Sequence, residues 1–424
     1  MIWILFIVFF IALFFGVPIA FALGLASLVY LVAADIPLVI IPLKMYSGID
    51  VFVLLSIPGF ILAGNIMNNS GMTDRIIKFS NNLVGHIRGG LGLANIGASM
   101  IFAGISGTAV ADTASIGSIM IPAMKKEGYE ADFSCAVTAS SSTIGPIIPP
   151  SLPMIIAGSL TGLSIGKLFL AGAVPGLLLA FGLMGVSYYL SAKKKHPKKD
   201  PVGIKRIGKG FIDAFWSILM TFLILFGIVG GVFTPTEASI VAVLYAVFIG
   251  LFIYKELKIS KLPSIILDSA ITTGSLMVLV GLANLFGWIL VSEQIPQVIA
   301  NSLLSITTNK YVLLILINIL LIFVGTFMET IAALLILFPI LLKVAVGVGV
   351  DPTQFTVIAV LNLIIGLNTP PVGICLFVAS SIGKVSIAKV TKAGLPFLII
   401  SLIVLLLVTY IPQISLFLPE WIMD

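Results

Sequence analysis

The chain has 424 residues, of which 59% are hydrophobic and only 9% charged, with a mean hydropathy of +1.23 and a formal net charge of +6. A soluble domain carries about 25% charged residues, so this composition excludes a water-soluble globular protein and points to a polytopic membrane one. The apolar runs are continuous rather than alternating, which excludes a β-barrel and leaves an all-α polytopic membrane protein.

Taken in chain order, the first fifteen residues are apolar, with no basic start and no small-residue cleavage site. They predict a retained helix over 2–15, shorter than the roughly 20 residues of a full span. Apolar helices follow to about 69, then TDRIIKFSNNLVGHI (73–87), whose charged and polar residues suit an amphipathic arm at the interface. The stretch 88–124 has both ends in basic segments, GHIRGG (85–90) and MKKEGYE (124–130). Its middle, FAGISGTAVADTAS (102–115), is rich in glycine and small hydroxyl residues. That pattern predicts a re-entrant hairpin with its tip at Ser106, Gly107 and Thr108. From about 129 a helix runs to SSTIGPIIPPSL (141–152), where Pro146, Pro149 and Pro150 cannot continue it; the break is expected at 143–151.

The segment KKKHPKKDPVGIKRIGK (193–209) sets eight Lys and Arg against one Asp, a cytoplasmic loop by the positive-inside rule. Gly203, Gly208 and Lys209 have phosphate-loop spacing, but Gly210 stands where magnesium needs Ser or Thr, and no strand precedes them. Helices at about 211–231 and 238–254 go out and return, leaving TPTE outside; a span at 262–290 then leaves SEQIPQ outside. A second polar arm, PQVIANSLLSIT (296–307), leads to a second hairpin, 310–346, with FVGTFMETIAA (323–333) at its turn and Gly325 and Thr326 at its tip. A second helix from about 353 breaks around 366–371, within IGLNTPPVGI (365–374). Cys135 and Cys375 lie in apolar helices and offer no disulfide framework. His86 and His196, in basic contexts without metal-ligand spacing, read as solvated.

The two halves repeat. Asp112 and Glu329 are separated by 329 − 112 = 217, as are Pro122 and Pro339, and Pro18 and Pro235. The offset becomes 221 for Gly145 and Gly366, Pro149 and Pro370, Gly162 and Gly383, and Pro175 and Pro396. The basic loops put the two hairpins on opposite faces, which makes this an inverted-topology repeat with ten crossings, two re-entrant hairpins, two broken helices and both termini outside.

Irregular backbone survives at membrane depth only where protein or water covers it, so two such breaks at matching positions predict ligand sites. The first would offer oxygen from Ser142, Thr143 and Gly145 facing Ser106, Gly107 and Thr108; the second from Gly366 and Thr369 facing Gly325 and Thr326. Hard cations such as sodium take such ligands. Asp112 and Glu329, intramembrane acids just past each tip, together with Ser141 and Asn368, are candidates for substrate binding or coupling. For the acids a helix-capping role is the competing reading. No catalytic residue, organic cofactor or other metal site is expected.

The run GISGTAVADTASIGSIMIPAMKKEGY, followed by TASSSTIGPIIPPSLPMIIAG and later NTPPVGICLF, resembles the large membrane subunit of tripartite ATP-independent periplasmic (TRAP) transporters over essentially the whole chain. The resemblance implies an elevator-type, sodium-driven importer in the bacterial inner membrane, moving an organic acid: a sialic acid, with C4-dicarboxylates as the alternative. It implies two protein partners, a small four-helix membrane subunit and a soluble periplasmic binding protein, and no nucleic acid. The chain starts at the large subunit's first helix, which fits an unfused version. It further implies scaffold helices at 1–71 and 211–295 and amphipathic arms at 72–87 and 296–308. The transport domain would comprise 88–192 (hairpin 88–124, broken helix 129–160) and 309–412 (hairpin 310–346, broken helix 353–381), with a basic loop at 193–210 and a tail at 413–424. Among other classes, a channel would share re-entrant loops but favour a continuous polar path. An enzyme would need a nucleophile–base pair or metal cluster that these sparse acids, Cys and His do not make.

Overall fold

A computed structural model of the chain describes residues 2–198, 203–295 and 309–423, with 297, 298, 302 and 307; the side chains of 103–106 and 204 are not among those described. Every regular element among the described residues is helical. Most of the second arm, 296–308, lies outside them.

The first half runs α1 (Ile2–Phe14), α2 (Ile19–Ala33), α3 (Ile40–Ile49), α4 (Ser56–Asn69), α5 (Met72–Val84), α6 (Gly90–Ser106), α7 (Ala109–Lys126), α8 (Ala131–Ser141), α9 (Leu152–Thr161) and α10 (Ile165–Lys193). The second runs α11 (Ile204–Val229), α12 (Pro235–Phe248), α13 (Leu262–Ser292), α14 (Lys310–Phe327), α15 (Thr330–Gly347), α16 (Pro352–Gly366), α17 (Ile374–Gly383), α18 (Ile387–Tyr410) and α19 (Gln413–Met423). Among the described residues, eight helices are long and apolar enough to cross a membrane, two of them the arms of the second hairpin. At 13 residues α1 is shorter than a full span, as its sequence predicts.

Local chemistry sets the ends. Pro235 opens α12 at a position where its missing N–H costs nothing, and Thr234 and Glu237 complete a reciprocal capping box. In α5, Met72, Ile76, Ile77 and Ser80 are buried while Asp74 and Lys78 are exposed, the one-sided pattern of an amphipathic helix.

Three expectations are corrected. The basic segment 193–210 is not loop throughout: α11 begins at Ile204, because Lys205, Arg206 and Lys209 are good helix formers and extend the apolar helix by two turns. The tail 413–424 is largely the helix α19, which packs on α10 and buries Ser415 and Pro419. His196 is not solvated but buried. Lys195 turns the chain through a left-handed conformation, and the ring of His196 lands on Tyr129 and Phe133 with centroids 4.5 and 4.7 Å away. Its Nε2 lies 2.6 Å from Glu130 and its Nδ1 3.1 Å from Ser191.

The halves interlock. Each hairpin packs on the broken helix of its own half, and its returning arm also meets the post-break piece of the other: α7 on α17, and α15 on α9. Around this group, α13 packs on α2, α3 and α4, α12 on α4, and α11 on α5. The interlocking brings both hairpin tips to the breaks; the first break is buried almost throughout, whereas Pro370, Pro371 and Val372 of the second are exposed.

Candidate functional site

The first break opens where α8 passes through a 3-10 turn, Ser142–Ile144, into the proline segment before α9. Ser151 restarts the helix by accepting from Met154 N and donates to Pro146 O. The second lies between α16 and α17, where Leu367, Asn368 and Thr369 donate backbone N–H groups to Ile364, Ile365 and Gly366. Pro149–Pro150 and Pro370–Pro371 are both cis, at the matching offset of 221.

Each tip contacts its own break on both sides. In the first hairpin α6 ends at Ser106, Gly107 turns with φ +64, and Thr108 caps α7 by accepting from Ala111 N. A Cβ at Gly107 would lie 2.7 Å from Leu152, just after the break. Before the break, a Cβ at Gly145 would collide with Asp112 Oδ2, so the fully buried carboxylate lies directly over the glycine. In the second hairpin Gly325 meets Gly366 backbone to backbone, where a Cβ at 366 would lie 2.5 Å from the Gly325 carbonyl carbon. Beyond the break, Gly373 N donates to Thr326 O at 3.4 Å. The close approaches require glycine at both junctions.

The second tip differs from its sequence reading. Gly325 and Thr326 belong to the last turn of α14, and the chain reverses at Met328. Glu329 is the N-cap of α15, accepting from Ile331 N at 2.8 Å and Ala332 N at 3.3 Å. The cap positions are therefore Thr108 and Glu329, 329 − 108 = 221 apart, so the 221 offset already holds at the tips. Asp112 sits one turn inside its arm and has no structural match in Glu329, because a helix start is fixed by its cap and the chain returns one turn later in the second hairpin.

The hydroxyls share one disposition. Ser142, Thr143, Thr326 and Thr369 each donate to a carbonyl three or four residues back, at 2.6–2.9 Å. A hydroxyl that donates in this way keeps lone pairs to accept or coordinate. Ser141 is differently engaged: it accepts from Ser99 at 2.8 Å and donates to Thr138 O at 3.0 Å, beside Asn95. Asn368 joins the halves, donating Nδ2 to Ala139 O at 2.8 Å while its Oδ1 is buried with no donor among the described residues. The Ser106 side chain lies outside the described residues.

Sequence reasoning missed a buried polar seam between each hairpin's first arm and its broken helix. Asn95 bonds Thr138 at 2.6 Å in the first half; Asn362 bonds Asn318 at 2.9 Å, and Asn318 bonds Thr409 at 3.0 Å, in the second. The available signal was asparagine within otherwise apolar helices, at 95, 318 and 362, the last matching Ser141 at the offset of 221. Beside this group a cavity of about 480 Å³ opens between α13 and the pair α9 and α15; its one charged lining residue is Lys44, held over the Trp288 ring at 5.2 Å.

Paired hairpins over paired broken helices define an integral membrane transporter fold. The YdaH transporter of Alcanivorax borkumensis shares it, with a TM-score of 0.58 over 87% of this chain and 84% of that one at 16% identity. The chain belongs to the tripartite ATP-independent periplasmic transporter family, as its DctM component, with residues 6–414 matching. It is 43% identical to the sialic acid TRAP transporter large permease protein SiaM of Vibrio cholerae over 96% of both chains. It is 41% identical to the C4-dicarboxylate TRAP transporter large permease protein DctM of Pseudomonas aeruginosa over 90% of this chain and 89% of that one. It is thus a transporter permease, a multi-pass protein of the inner membrane and one component of a tripartite system.

Proposed function

We propose that this chain imports an organic acid by sodium-coupled, elevator-type transport, receiving it from a soluble periplasmic binding protein and working with a small four-helix membrane subunit. The observation that carries this reading is the doubled contact of a glycine-tight hairpin tip with a broken helix. Each junction gathers backbone oxygens and hydroxyls whose lone pairs remain available, the donor set of a hard cation. The buried Asn368 Oδ1 adds an acceptor between the two junctions, and an unmet acceptor there would cost about 1–3 kcal/mol without a partner. In this reading Ser142, Thr143, Gly145 and the first tip hold one sodium; Gly366, Thr369 and the second tip hold another. Asp112 over Gly145 supplies charge at the first site. The N-terminal end of α7, capped by the neutral Thr108, aims a positive dipole end at the substrate's carboxylate.

The hairpins and broken helices would move as one body against α1–α4 and α11–α13. The interlocking of the two halves supports this, since neither hairpin can move without the other half's broken helix. Sialic acid is the first substrate to test and a C4-dicarboxylate the second, because relatives bearing those names match at 43% and 41%. Uptake into proteoliposomes holding the complete complex, with a panel of binding proteins, should stop when external sodium is replaced by choline. Undiminished uptake on a proton gradient alone would overturn the sodium reading.

A further inference from the structure

A second cavity, of about 510 Å³, lies between α5 and the start of α11, at the end of the molecule that its basic segments assign to the cytoplasm. Among the described residues its lining carries four cations, Arg75, Lys78, Arg206 and Lys209, against one acid, Asp213. Arg75 is fixed in place: it pairs with Glu256 at 2.8 Å, donates to Gly71 O at 2.9 Å and lies over the Tyr254 ring at 3.9 Å. Lys78, Arg206 and Lys209 have no ion pair among the described residues. Gly210 lets Asn82 approach α11, since a Cβ there would lie 2.7 Å from its Nδ2.

The cations are followed immediately on α11 by apolar surface. Phe211 is 45% exposed and Ile212 69%, with Phe215 and Trp216 next, and Phe211 packs on Phe79 of α5 with ring centroids 5.7 Å apart. Charge above a concave seat and exposed aromatic and aliphatic groups just below it match the two ends of a lipid. The matching arm of the second half, PQVIANSLLSIT, has no Lys or Arg at all, so the charge on α5 is not a requirement of the repeat.

We propose that this cavity binds the headgroup of an anionic phospholipid, phosphatidylglycerol or a close polyol relative. Lys78, Arg206 and Lys209 take the phosphate, Asp213 accepts from headgroup hydroxyls, and the acyl chains lie along Phe211, Ile212 and Phe215. A free phosphate would use the same cations but would gain nothing from the apolar surface.

Native mass spectrometry of the full chain in detergent tests this, with phosphatidylglycerol, phosphatidylcholine and inorganic phosphate as probes. Phosphatidylglycerol should be retained over phosphatidylcholine, and millimolar phosphate should not displace it. The triple variant Lys78→Gln/Arg206→Gln/Lys209→Gln should lose on the order of a hundredfold in retention, about fivefold per cation. A control with as many charges removed from another basic segment, Lys384→Gln/Lys389→Gln/Lys392→Gln, should change it by no more than about twofold. Equal losses in the two triples would reduce the effect to diffuse surface charge. Loss of the lipid preference, or displacement by phosphate alone, would also overturn the proposal. Should the triple variant fail to fold, the wild-type competition between the two lipids and phosphate decides the question.

Discussion

The two hairpin tips show how far a repeat can diverge while keeping its geometry. The first turns on a left-handed glycine, caps its returning arm with a neutral threonine and keeps its carboxylate one turn deeper, over Gly145. The second turns at Met328 and uses its carboxylate as the cap itself. A cap needs an oxygen acceptor, and threonine supplies one without burying charge. The first half therefore has an acid that capping does not explain, whereas the second half's acid is accounted for by two backbone donors. The glycine junctions differ as well. Gly325 and Gly366 meet through main chain; Gly145 is covered by the end of a side chain.

The largest effects should come from the glycines. In Gly366→Ala the new methyl meets the Gly325 backbone, which cannot yield without moving α14, so a loss of about 3 kcal/mol or more is expected. In Gly145→Ala the close contact is with the carboxylate end of Asp112, while the nearest backbone atom, Ser142 O, stays at an ordinary 3.4 Å. Folding should be better preserved there while the sodium dependence of uptake shifts. Unfolding temperature in detergent and sodium activation of uptake, measured on both variants, separate them; equal destabilisation would erase the distinction between a backbone and a side-chain junction.

The acids come next. Glu329→Gln keeps an oxygen to accept from Ile331 and Ala332, so it should cost about 0.5–2 kcal/mol or less, with the sodium midpoint little changed. Asp112→Asn should instead weaken sodium activation in well-folded protein, because the charge over Gly145 is lost while the cap at Thr108 is untouched. An unchanged sodium midpoint in Asp112→Asn, alongside a lowered unfolding temperature, would reduce Asp112 to a structural group like Glu329.

Much of this geometry is legible from the chain because the strongest local rules coincide with the site. Prolines 146, 149 and 150 and their counterparts at 370 and 371 forbid helix, and glycines 107 and 145 mark the turn and the close approach. Composition alone defines the class. The register of the second tip was not legible: prolines 122 and 339 keep the 217 offset of the outer helices, while the caps at 108 and 329 follow the 221 offset of the breaks. Which offset governs the tip depends on where the returning helix is capped, a tertiary outcome. His196 was misread for a related reason. A histidine among lysines looks solvated until Lys195 folds it onto an aromatic pair that is distant in sequence.

That histidine leads to the smallest and most specific difference between the halves. The broken helices start at matching caps, Glu130 and Asp351, 221 apart. Asp351 caps its own helix, accepting from Thr353 N at 2.7 Å and Gln354 N at 3.0 Å. Glu130 caps nothing and reaches instead to His196 and, at 3.6 Å, Lys194. Burial works to raise the Glu130 carboxyl, but the His196 hydrogen bond, its backbone contact and the nearby Lys194 together hold it below the usual carboxylate range. A carboxyl lowered on folding contributes stability that is present above its unfolded value and is lost as pH falls through the folded one. The unfolding temperature should therefore drop as pH falls from about 5 toward and below about 4, and Glu130→Gln should flatten that part of the curve. The side chain is 46% exposed, so solvent screening keeps the difference small, on the order of 1–2 °C. His196→Gln should flatten it as well, since the same contact is removed from the other side. If the acid-side drop persists unchanged in both variants, Glu130 contributes no more than an ordinary surface carboxylate and the first half has no such latch.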